Sequence, residues 1–323
     1  MQKSGIVALA VLGWVGCSKS SYDAPSDTVL TPDLSAPIVL NAAINVHTQV
    51  KAITGPVNGS AFPESTEDVF RLRAYAGASV PTDWSDAAIY DGMNDLQVNS
   101  GSSSELSLST PKYYPSDASK KLYFYAWAPA AGSITAGGDG SAPVANYTLT
   151  GQEDILWAKD DRGIAKDVPS QSDQPALNFA HKLKQVKFKL VKDASFEEGQ
   201  KVTSIKITQV KTSAKLDLSN GTLTFDGSAD QELVYPIDTG TDDAITAEGT
   251  EMTSCVMFEP GATFTLSVTV GEVEYSGITV SLSDGGGAGN SYLVTLTFKR
   301  NDIVPTASIT DWVPGAEAGV DIM

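Results

Sequence analysis

Histidine and cysteine are nearly missing from this chain, with two of each among 323 residues. The histidines, His47 and His181, leave a Ser-His-Asp triad only two bases to draw on, and no Gly-x-Ser-x-Gly elbow is present. Two cysteines, Cys17 and Cys255, cannot form a Cys-x-x-Cys pair, and no His-Glu-x-x-His zinc motif exists. Positive charge is also scarce. The 22 Lys and Arg against 39 Asp and Glu give a net charge of −17, the wrong sign for a nucleic-acid binder or for adsorption to an anionic membrane surface. No window sustains a 3.6-residue apolar period, so amphipathic helices are not expected. With 41% apolar and 19% charged residues there is ample core material, and the length exceeds what one core usually serves, which predicts two domains. No cofactor, metal ion or catalytic residue is expected.

The N-terminal segment reads as an address. Residues 1–16 carry Lys3 and an apolar run from Ile6 to Val15, the length of a signal-peptide core and too short to cross a bilayer. The run ends in Val15-Gly16-Cys17, which resembles a bacterial lipobox and makes Cys17 the expected acylation site. Residues 17–37 are rich in Ser, Asp and Pro and are expected to form a flexible tether between lipid and fold. Cys255 lies in the apolar run Ser254 to Phe258 and reads as a buried, inert thiol.

The body reads as strands and turns. Period-2 alternation recurs at Phe70-Leu72-Ala74, Leu106-Leu108, Ile205-Ile207, Phe264-Leu266-Val268-Val270 and Leu293-Thr295-Thr297. Lys121 to Trp127 is apolar on both faces and is expected at the centre of a sheet covered on both sides. Asn220-Gly221, Asp226-Gly227 and Gly285 to Gly289 read as hairpin connections, so the fold class is all-β, built of antiparallel β-sandwiches. A boundary is placed near residue 170, dividing an N-terminal domain, 38–170, from a C-terminal one, 171–323. Leu177, Phe179 and His181 fall on odd positions, whereas Val186, Phe188 and Leu190 fall on even ones. A strict pleat cannot hold both sets on one face, which predicts a β-bulge or a change of sheet near Lys184-Gln185, with His181 pointing inward and hydrogen-bonded.

Charge is unevenly placed. Between His181 and Lys215 lie nine lysines and three acids; between Leu216 and Phe298 lie thirteen acids and no Lys or Arg. The pattern fits a basic strand pair packed beside acidic ones in one domain, or complementarity between neighbouring copies. Trp84, Trp127, Trp157 and Trp312 offer material for a sugar-binding platform, although Trp127 and Trp157 sit in strongly apolar strands.

The two ends of the body carry the sharper signal. Ile38, Leu40, Ala42, Ile44 and Val46 share one face of a strand whose other face is mostly polar or small, the pattern of an edge strand docked by one side. Near the C-terminus Ala316, Ala318, Val320 and Ile322 repeat that phase more weakly. The two segments are candidates for one groove, the first in cis and the second in trans.

Cys17 with its polar tether, Leu122 to Trp127, Asp154 to Ala158, Leu177 to Leu183 and Ile309-Thr-Asp-Trp312 together resemble the fimbrillin family of Bacteroidales, the subunits of type V pili. The resemblance implies two transthyretin-like antiparallel β-sandwich domains in tandem, export as a lipoprotein to the cell outer membrane through acylated Cys17, and a place in a fimbrium that supports adhesion. It further implies that a trypsin-like surface protease removes the first strand, 38–46, followed by strand exchange between subunits; the apolar phase of the C-terminal segment makes 313–323 the candidate donor, in a head-to-tail contact. The matching cleavage position is Lys51, before Ala52, where many relatives carry Arg. From a different class comes a monomeric surface lipoprotein that binds glycans through aromatic residues.

Overall fold

The computed structural model describes residues 30–44, 70–100, 105–108, 110–138, 140–167, 174–240, 242–300 and 302–310. Apart from two single 3-10 turns, Asp86–Ala88 and Tyr90–Gly92, the regular structure there is strand. In chain order the first strands are β1 (Pro32–Pro37), β2 (Leu40–Ile44), β3 (Phe70–Gly77), β4 (Leu96–Ser100), β5 (Glu105–Leu108), β6 (Tyr113–Pro115), β7 (Lys121–Ala128), β8 (Ser133–Thr135), β9 (Val144–Thr148), β10 (Leu156–Ile164) and β11 (Ala176–His181). There follow β12 (Lys184–Lys192), β13 (Val202–Val210), β14 (Ser213–Asp217), β15 (Leu223–Asp226), β16 (Gln231–Val234) and β17 (Thr250–Glu251). The last are β18 (Val256–Phe258), β19 (Thr263–Val270), β20 (Val273–Ser281), β21 (Ser291–Lys299) and β22 (Asp302–Thr310).

The first half closes into a barrel with strand order β10-β11-β2-β5-β4-β3-β7. Alternation supplies its interior: Phe70, Leu72 and Ala74 of β3, Leu122, Phe124 and Ala126 of β7, and Leu177 and Phe179 of β11 share one core. The short β1–β6 pair adds Tyr114 to the same core. The second half is a sandwich. One sheet, β17-β12-β21-β22 with β18 also on β12, faces another, β16-β13-β19-β20, across a core holding Phe188, Leu190, Ile207, Leu266, Val294 and Leu296.

A third core joins the halves. Tyr123, Tyr125 and Trp127 project from the outer face of β7, as the two-faced apolar run predicts, and meet Trp157, Tyr147, Leu216 and Met257. Above it lies the sheet β15-β14-β9-β8, in which β14 of the second half pairs with β9 of the first. The Trp157 indole N–H donates to the Leu218 carbonyl at 3.0 Å. Gly221, in the left-handed region at φ 72°, turns the β14–β15 hairpin there; a Cβ would lie 2.3 Å from the Trp157 ring.

Several expectations require correction. Both halves contain a parallel pair, β2 with β11 and β12 with β21, so the sheets are mixed rather than purely antiparallel. The boundary drawn at residue 170 places β11 on the wrong side, because its Leu177 and Phe179 fill the barrel. The tether expected over 17–37 is too long, since Pro32–Pro37 pairs with β6 and Asp33 bridges Lys166 at 3.2 Å. Asp226-Gly227 and Gly285 to Gly289 are not hairpin turns. Each carries the chain from one sheet to another, β15 to β16 and β20 to β21. The phase break at residue 184 is the anticipated change of sheet, from barrel strand β11 to sandwich strand β12.

Candidate functional site: the strand that closes the barrel

β2 lies between two strands. Its Asn41 to Ile44 run parallel to Ala176 to Phe179 of β11, and its Leu40 and Asn41 pair antiparallel with Leu106 and Glu105 of β5. It is therefore not the edge strand its one-sided pattern suggests. Without it β11 and β5 share no ladder, so this one strand closes the barrel. The correction has a simple cause. Period 2 reports which face is buried and is silent on how many neighbours the backbone has.

The side chains follow the expected face. Leu40 is 1% exposed, Ala42 5% and Ile38 7%, all within the barrel core, whereas Val39 is 41% exposed. Both entry points are tied by backbone: Ile38 N–H donates to the Lys112 carbonyl and Asn41 N–H to the Pro175 carbonyl, each at 2.8 Å. Of the other expected strand-exchange residues, Ile44 is placed by its backbone in β2. Val46, Cys17, the cleavage pair Lys51 and Ala52, and Ala318, Val320 and Ile322 all lie outside the described residues. The walls of the slot, β5 and β11, were legible as strands but not as partners of β2.

An acid fixes one wall. Asp160 of β10 is buried, accepts two hydrogen bonds from the Arg162 guanidinium Nε and Nη2, and accepts the Ala176 N–H at 2.8 Å. Burial pushes its carboxyl up, but the Arg162 and Ala176 hydrogen bonds outweigh that and hold it below the usual range. The start of β11 is thus pinned to β10 independently of β2.

The far end of β11 is fixed by a second polar contact. His181 Nδ1 lies 2.8 Å from an Asp154 carboxylate oxygen, both side chains buried, as the inward phase of His181 requires. Other titratable groups have structural explanations. Burial pushes the Cys255 thiol up to about 12, which leaves it unreactive. Lys184, 1% exposed, donates to the Gly261 carbonyl at 2.7 Å and lies 4.5 Å over the Phe258 ring. Burial pulls its ammonium down to about 8. The charge asymmetry resolves within the chain: Lys187–Glu251, Lys201–Asp243, Lys206–Glu232 and Lys215–Asp226 pair basic with acidic segments. Trp84, Trp127 and Trp157 are core residues and form no surface platform; Trp312 lies outside the described residues. Among the described residues no three His, Cys, Asp or Glu side chains come together as a metal site, and no helix is long and apolar enough to cross a membrane.

Among the described residues the chain is thus an all-β protein, a closed barrel joined to a sandwich. The chain belongs to the fimbrillin-like family, whose model matches residues 68–312. Solved structures that share its fold include three from Bacteroides species. A proposed cell-adhesion protein from Bacteroides uniformis has a TM-score of 0.57 at 19% identity, covering 87% of this chain and 99% of its own. A second, from Bacteroides ovatus, has 0.56 at 16%, covering 86% and 98%. A fimbrial protein from Bacteroides vulgatus has 0.55 at 17%, covering 85% and 99%. No curated protein matches the chain.

Proposed function

We propose that this chain is a structural subunit of a cell-surface pilus that supports adhesion, assembled by exchanging β2 for a strand of another subunit. One observation carries the reading: β2, the first barrel strand in the chain, sits between β11 and β5 by short ladders on both sides, so its removal from the N-terminal side opens the barrel. In this account the chain is exported as a lipoprotein, anchored through acylated Cys17 in the cell outer membrane, and cut after Lys51 by a trypsin-like surface protease. The excised segment takes β1 and β2 with it.

Excision withdraws Ile38 and Leu40 from the core, a loss of about 1.5–3 kcal/mol each, and strips ladder partners from both walls. A strand from another copy restores both kinds of contact by β-strand addition. Because each subunit gives its C-terminal segment and receives at its barrel, the contact is head-to-tail and propagates into a filament.

The test is N-terminal sequencing of the protein in heat-labile ladders recovered from the cell surface. The reading expects a start at Ala52 and loss of that product in Lys51→Ala. Ladders built from chains that retain lipidated Cys17 would refute exchange by excision.

A further inference from the structure

The sandwich carries a pocket at its end far from the barrel. β12 leaves the barrel side at Lys184 and ends at Lys192, about 26 Å further on. β19 and β21 also end at that pole, and β13 and β20 begin there, because Lys192 pairs with Phe298, Val202 with Val270 and Val270 with Val273. A cavity of about 460 Å³ lies between their connections, within the range of small-molecule sites, about 300–1,000 Å³. Its walls are tied together through the backbone. Gly271 N–H donates to the Lys201 carbonyl at 3.0 Å, Asp193 N–H to the Phe298 carbonyl at 2.9 Å, and Arg300 N–H to Ser195 Oγ at 3.3 Å. The pocket is therefore formed before any ligand arrives, which lowers the ordering cost of binding.

The lining divides by chemistry. Phe196 and Val270 are buried and make the floor, with the Phe196 ring 5.6 Å from that of Phe298. Tyr275 packs half-buried against the sandwich core and, with the exposed Val273, offers apolar surface. Glu197, Gln200 and Arg300 add a polar rim, and among the described residues none of these three side chains makes a hydrogen bond or ion pair. By contrast Lys187, Lys201, Lys206 and Lys215 of the same half are all committed to acids of the chain.

We propose that this pocket binds a neutral sugar residue, its C–H face laid on Tyr275 and Val273 and its hydroxyls held by Glu197, Gln200 and Arg300. The three rim groups are planar and offer paired acceptors or donors, which suits adjacent hydroxyls, while a tyrosine ring supplies an apolar face with a polar tip. A wholly apolar ligand would leave those rim groups desolvated and unpaired. An anion is disfavoured as well: Arg300 and its sequence neighbour Lys299 stand against Glu197, Glu272 and Glu274 on a protein of net charge −17. The site stands without strand exchange. On the pilus reading it also recurs in every subunit, and such repetition turns a weak single-site affinity into firm attachment.

The test uses the full chain, titrated with the methyl glycosides of glucose, galactose, mannose and N-acetylglucosamine and, separately, with N-acetylneuraminic acid. Binding is followed by saturation-transfer NMR and calorimetry. The proposal expects saturable binding of at least one neutral glycoside, weakened roughly tenfold or more by Glu197→Ala and by Arg300→Ala, and abolished by Tyr275→Ala. Glu197 and Arg300 are exposed, so those two variants decide the matter even if Tyr275→Ala fails to fold. Binding of the acidic sugar alone, lost in Arg300→Ala and strengthened in Glu197→Ala, overturns the neutral ligand. Neutral binding that survives every variant overturns the site, and no binding of any probe at millimolar concentration overturns the proposal outright. The surface ladders test the pilus reading separately, so either can fail without the other.

Discussion

The barrel and the sandwich are built by the same alternation, yet their ladders differ in kind. In the sandwich β21 pairs with β22 from Ser291 to Lys299 and with β12 from Ser291 to Phe298, long ladders on both sides. The strand that closes the barrel pairs over Asn41 to Ile44 on one side and over Leu40 and Asn41 on the other. Both strands are buried and both are central. Burial therefore does not separate these two strands; ladder length and chain connection do. β21 is held by continuous chain at both ends, whereas β2 is followed by the segment that contains Lys51.

The largest effect is expected in the sandwich. Phe188→Ala removes a ring packed edge-on to Tyr235 and should cost about 3–5 kcal/mol, equally in the intact and the processed chain, measured by chemical denaturation. Leu40→Ala should cost about 2–5 kcal/mol in the intact chain and nothing in the processed one, where the residue is gone. Equal losses in both forms would mean that β2 stays in the barrel after cleavage.

The two halves should also answer pH in opposite ranges. Asp160 is depressed in the folded state, so its contribution is present at neutral pH and is lost as pH falls below about 4. Asp160→Asn should destabilise the intact chain by about 1–3 kcal/mol at pH 7, with the difference shrinking in acid. Lys184 in the sandwich is also depressed, by burial, but it is a base. Its charged form is penalised below pH about 8, and stability should recover between about 8 and 10, where the unfolded chain still holds the proton. Lys184→Met should flatten that rise; an unchanged slope would assign it to another group.

Much of this was visible in the chain. The two-faced run Leu122 to Trp127 divides between the barrel core and the joining core, and the odd-to-even break after His181 marks the passage between sheets. Each is a matter of which way side chains point, and apolar spacing records that directly. Pairing is different. Gln185 to Lys192 lies beside Ser291 to Phe298 through backbone bonds that leave no mark on residue type, so the parallel pairs were invisible. The same blindness made β2 look like an edge. Pro32 and Pro37, which suggested a tether, bracket the short β1 pairing with β6 that residue preference disfavours and tertiary contact imposes. Asp226-Gly227 and the Gly285 to Gly289 run carry hairpin chemistry, but turn residues specify a reversal of backbone and not the sheet into which the chain re-enters.

The most direct measurement uses intact chain nicked after Lys51, with a fluorophore on the N-terminal fragment, challenged with a synthetic peptide of residues 313–323. If the barrel-closing strand is exchangeable, the fragment leaves at a rate that rises with peptide concentration while the sandwich stays folded. A fragment that departs only on global unfolding, whatever peptide is added, would contradict the account.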